Sequence, residues 1–60
     1  MMAARIHHDT YRATTLADAR AAAIQAIDEM HEARFEMVRL EAHREGAGYA
    51  IDVTYRRDEQ

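Results

Sequence analysis

Cysteine, proline, lysine, serine, asparagine and tryptophan are all missing from the 60-residue chain. Without cysteine there is neither a disulfide framework nor a thiolate zinc site, so a disulfide-stapled secreted scaffold is excluded. Without lysine, serine or cysteine there is no Schiff-base amine, no P-loop lysine and no serine or cysteine nucleophile. Most covalent catalysis is thereby removed, and the expectation is a protein that is not an enzyme. No uninterrupted apolar run exceeds four residues, as in Ala21 to Ile24, which is far short of a membrane span or a signal peptide. A soluble, cytoplasmic protein with no membrane partner is expected. The formal charge of -3 and the pI near 5.7 lack the basic footprint of a nucleic-acid module.

What is present is lopsided. Thirteen alanines, and eight cations that are all arginine, reflect a biased composition in which no single Ala or Arg carries meaning by itself. A chain this short makes one small domain over residues 1–60 and buries only about 60% of the surface exposed when unfolded. With no disulfide to help, self-association is the expected source of stability.

The segment "TTLADARAAAIQAIDEMHEAR" opens with Thr15 as a helix cap and Asp18 in the first turn, where a negative charge is favoured. Leu16, Ala19, Ala23, Ile27 and Met30 recur at three- and four-residue steps, predicting an amphipathic helix over 16 to about 32. His31 near its C-terminus suits the helix dipole. The following "RFEMVRLEAHRE" has residue types that would also continue the helix to Glu45. The turn "EGAG" argues for a hairpin instead, because Gly46 followed by Ala47 suits a type II′ loop.

Pairing outward from that turn sets Arg44 against Tyr49, Ala42 against Ile51, Leu40 against Val53 and Val38 against Tyr55, an almost wholly apolar face. The other face receives His43 with Ala50, Glu41 with Asp52, Arg39 with Thr54 and Met37 with Arg56. A weaker first strand runs from Ala4 to Tyr11. Strands running up, up and down make an all-antiparallel sheet only with the third in the middle, which suits the β-branched and aromatic "YAIDVTYRR". The predicted fold is α+β, in the order β-α-β-β, with one helix on a three-stranded antiparallel sheet of strand order 1-3-2.

With the helix on one face, Phe35 and Met37 are expected on the other, where a second subunit or a flat ligand would cover them. The helix "TLADARAAAIQAIDEM", the strand start "RFEMV" and the closing "GYAIDVTYRRDE" together resemble the dodecins, small β-α-β-β flavin-binding proteins that assemble into hollow homododecamers. The resemblance covers nearly the whole chain in shape. It implies a homo-oligomer, up to a dodecamer, that binds FMN, FAD or riboflavin without catalysis. Phe35 stands where that family typically has the tryptophan that stacks on the flavin, and Ala50 stands near its ring-binding glutamine. Independently of the family, Phe35 and Met37 beside Arg39 and Arg56 have the chemistry to stack a planar ring and attract an anionic tail. These four are the predicted ligand-binding residues. The alternative is a regulatory or inhibitory interaction module that uses the exposed sheet face or an edge strand.

Two further groupings stand out. Glu41 opposite Asp52 is a like-charge pair, with His43 on the same face. A divalent cation held with His43, a proton kept by one of the carboxyls, or screening by the neighbouring Arg39 and Arg56 would relieve it; the arginines are the expected answer, and no metal is expected. Arg5, Arg12, Arg56 and Arg57 could gather at one edge and meet an acidic partner or phosphate, against a solvated rim as the plainer account. In "RIHHDTYR" a strand sends His7 and His8 to opposite faces, so they cannot chelate one ion together. If Ile6 faces the helix, so do His8 and Thr10, leaving Arg5, His7, Asp9 and Tyr11 on the open face.

Overall fold

A computed structural model describes residues 3–59, in the order β1 (Ala3–Ala13), α1 (Leu16–Glu32), β2 (Glu36–Glu45) and β3 (Gly48–Glu59). The three strands form one antiparallel sheet of order β1-β3-β2, with α1 across one face. This is the expected α+β architecture.

Local chemistry sets each boundary. Thr15 adopts an extended backbone, and its hydroxyl accepts the Asp18 N–H at 3.1 Å, which starts α1. At the other end the Phe35 N–H reaches back to the Met30 carbonyl at 2.9 Å, while Arg34 takes a left-handed φ of 69°. That is the hydrogen-bond pattern of a Schellman cap, with arginine in the place glycine usually fills. The β2–β3 turn has φ of 60° at Gly46, and Ala47 is not among the positive-φ residues, in keeping with the expected type II′ loop. A Cβ at Gly48 would lie 2.5 Å from the Ala13 carbonyl oxygen, so only glycine lets the end of β1 close onto β3.

The core is narrow. Ala19 and Ala23 of α1 pack on Ile51, Val53 and Tyr55 of β3 with Phe35, and Ile27, Met30 and Tyr11 close its margins. Almost every fully buried side chain therefore belongs to the helix stripe or the central strand. The body measures 45 × 18 × 11 Å. Its radius of gyration of 12.7 Å exceeds the roughly 10.4 Å expected of a compact domain of this length.

The hairpin register holds as expected from Glu45↔Gly48 through Arg39↔Thr54, including Leu40↔Val53 and Glu41↔Asp52. Beyond Arg39 it departs, because Met37, not Val38, opposes Tyr55, and Glu36 rather than Met37 opposes Arg56. Val38 is the extra residue of a β-bulge. One added residue reverses which face the following side chains take. Phe35 and Met37 therefore turn to the helix side instead of the open face.

Deleting Val38 leaves Met37 opposite Tyr55 and Arg39 opposite Thr54, now in a regular ladder, so stability should stay within about 1 kcal/mol in urea unfolding followed by circular dichroism. A deletion that abolished folding would mean that the bulge itself holds Phe35 inside.

The phase of β1 is also the reverse of the one derived from Ile6. Ile6, His8, Thr10 and Arg12 oppose Arg56, Thr54, Asp52 and Ala50, whereas His7, Asp9 and Tyr11 oppose Tyr55, Val53 and Ile51 on the helix side. Ile6 is 53% exposed, whereas the Tyr11 hydroxyl lies 2.8 Å from that of the fully buried Tyr55. Burial and the Tyr55 hydroxyl push the Tyr11 phenol well above its ordinary range.

Candidate functional site

The four residues expected to bind a planar ring do not come together. Phe35 is only 8% exposed and belongs to the core, with the Arg57 guanidinium carbon 4.7 Å above its ring centre and the His7 ring 6.2 Å away. Met37 shares that side but stays exposed. Arg39 and Arg56 lie on the open face, and each is already engaged, Arg39 with Glu41 at 3.0 Å and Arg56 with Asp58 at 3.0 Å. The bulge is the physical reason for the separation.

On the open face the predicted Glu41·Asp52 opposition is present and is relieved by neighbours. Arg39 takes Glu41, the Thr10 hydroxyl donates to Asp52 at 2.7 Å, and His43 Nδ1 lies 3.6 Å from the other Asp52 oxygen. Arg56, expected to help, serves Asp58 instead. His8 Nδ1 meets the Thr54 hydroxyl at 3.0 Å, so the two adjacent histidines do part to opposite faces. Among the described residues no three His, Cys, Asp or Glu side chains are placed to hold a metal ion.

The arginines do not form one patch. Arg5 and Arg57 share Glu59 at 3.3 and 2.7 Å at one end of the sheet, with Arg56 beside them. Arg12 lies at the far end of β1, where it binds Glu45 at 2.7 Å and holds that carboxyl below its usual range. The depression of about 620 Å³ at the first end is lined by Arg34, Arg56 and Arg57 against Glu36, Asp58 and Glu59, and so is largely self-neutralised.

The apolar opening lies elsewhere. Because α1 is seated mainly over β1 and β3, the helix-side face of β2 is left bare, and every residue of β2 is exposed. Leu16 and Ile24 of α1 face Leu40 and Ala42 of β2 across a groove of about 440 Å³ with Ile51 at its inner wall. Arg20 is its one charged lining residue. Ile24 is 56% and Leu40 is 45% exposed, although both are large and apolar.

No protein-family model, curated protein or solved structure matches this chain. The functional reading therefore rests on the residues themselves. Leu16 and Leu40 are assigned to the core by periodicity, and Ile24 lies outside the predicted stripe. The available signal was the alanine at positions 19 and 23, which makes the helix too slim to cover three strands. No helix is long and apolar enough to cross a membrane among the described residues.

The resemblance to dodecins implies a flavin on the open face, stacked on Phe35. The residues there do not fit one: Phe35 is enclosed beneath Arg57, and Ala50 is fully buried and offers no side-chain hydrogen bond.

Proposed function

We propose that this chain is a non-catalytic binding protein that works as a homo-oligomer and holds a small planar ligand, of which a flavin is the first candidate, in the groove between α1 and β2. The observation that supports this is the groove itself. Its volume of about 440 Å³ lies within the roughly 300–1,000 Å³ range of small-molecule sites, and it is lined by apolar side chains with one cation. Arg20 would attract a phosphate or carboxylate tail while Ile24 and Leu40 take the ring. A protein without a serine, cysteine or lysine nucleophile is suited to holding such a molecule rather than transforming it.

The bare edge of β2 favours a second reading, a module that captures a protein partner by strand addition. One titration separates the two. Riboflavin and FMN added to the purified protein should lose fluorescence on binding, and Ile24→Glu should abolish that loss. A protein that leaves both flavins fully fluorescent overturns the ligand reading and leaves the interaction module.

A further inference from the structure

We infer that β2 pairs antiparallel with β2 of a second copy in a register centred on Ala42, making a six-stranded sheet with both helices on one face. This deepens the homo-oligomer reading above and rests on it. The occupant of the bare edge is this chain itself, and three observations identify it.

The first is surface. The accessible area is 4613 Å², whereas a compact monomer of 6.9 kDa exposes about 4,000 Å². The excess of about 600 Å² per copy, about 1,200 Å² for a pair, reaches the lower bound of a specific interface.

The second is geometry. The two-residue turn makes Glu45 and Gly48 a hydrogen-bonded pair, so by alternation Glu45, His43, Glu41 and Arg39 direct their backbone groups to β3. Arg44, Ala42 and Leu40 direct theirs outward from the edge. The turn ends the regular edge on one side and the Val38 bulge ends it on the other. Arg39 to Glu45 remains, and its midpoint is Ala42.

The third is charge. On the open face these residues read Arg39, Glu41, His43 and Glu45, alternately cationic or donating and anionic. Reversed, that series becomes its own complement. Within one copy Arg39 reaches Glu41, His43 lies near Asp52 and Glu45, and Glu45 binds Arg12, all through exposed side chains that can exchange partners at little cost. Centred on Ala42, pairing sets Arg39 against Glu45 of the partner subunit and Glu41 against His43 of the partner subunit, each twice by symmetry. A centre at Glu41 or His43 sets like against like, and a centre at Leu40 runs into the bulge. The open face of β1 carries Ile6, His8, Thr10 and Arg12, which have no such pattern.

On the helix side, alanines meet at the axis, and the Arg44 stem covers Leu40 of the partner subunit. The two apolar grooves then open onto one trough between the helices, built by both copies.

Cysteine pairing and charge exchange test this in a chain that has no native cysteine. Hydrogen-bonded antiparallel partners lie about 5.5 Å apart at Cα, within disulfide reach. Ala42→Cys should therefore cross-link to a dimer under mild oxidation, while Leu40→Cys should not. Arg39→Glu and Glu45→Arg should each weaken the native dimer by at least about tenfold, and mixing the two should restore it, because only the mixed pair regains both opposite-charge contacts. A strictly monomeric wild-type protein in native mass measurement would overturn the homo-oligomer reading and this register together. A stable oligomer in which Leu40→Cys cross-links and Ala42→Cys does not, or in which mixing restores nothing, would overturn the register alone.

Discussion

Replacing Tyr55 by alanine should leave the protein unfolded at room temperature. Tyr55 is fully buried at the middle of the central strand, within the cluster formed by Ala19, Ala23, Phe35 and Val53. Removing a buried aromatic ring costs about 3–5 kcal/mol, and a core in a chain this short supplies about that much in total. Tyr55→Phe keeps the ring and loses only the hydroxyl contact with Tyr11, which is partly exposed and can turn to water; that substitution should cost about 1 kcal/mol. Far-ultraviolet circular dichroism with urea titration distinguishes the cases. A folded Tyr55→Ala protein with a midpoint near wild type would mean that the stability lies outside this core.

Phe35→Ala carries the second large effect, about 3 kcal/mol lost in the same assay. An aromatic platform on the open face would cost almost nothing to remove, since its ring would already meet water. The enclosed ring observed here loses its place in the core cluster, and the Arg57 guanidinium loses its partner face. Arg57 also donates to the Ala33 carbonyl at 3.2 Å, so the substitution loosens the tie between the end of the helix and the end of β3. A stability change below about 0.5 kcal/mol would contradict this placement.

The elements and their order were legible because three independent signals agree: the spacing from Leu16 to Met30, the cap at Thr15 and the glycine at the head of the turn. The register near the turn was legible for the same reason, since both strands alternate in step back to Arg39. Past that point the evidence lay in a break of phase. Phe35 and Met37 are odd-numbered, Leu40 and Ala42 are even, and one extra residue puts all four on one face. Strict alternation reads the first pair as open-faced and so puts a buried ring where a ligand platform would stand.

The phase of β1 was less legible, because an edge strand with polar groups on both faces offers few constraints. Ile6 lies near the start of β1 and stays exposed, whereas Tyr11 and Ala13 pack on the core. Weighting those two over the lone isoleucine would have oriented the strand correctly. The groove was hidden for a different reason: periodicity reports which residues are apolar, not how many strands an alanine-faced helix can cover.

The central place of β3 also has a consequence for how the fold can form. β1 and β2 do not touch each other in the sheet; each is hydrogen-bonded only to β3, the last of the four elements in chain order. Ala3 pairs with Glu59 and Ala13 with Tyr49, so β1 joins the sheet only through contacts that are distant in sequence, whereas β2 reaches β3 across a two-residue turn. A helix can form early, but it has no sheet to rest on until β3 is in place. The hairpin is therefore the nucleus to which the first strand must be brought back, and the entropy of closing that loop sets the pace of folding.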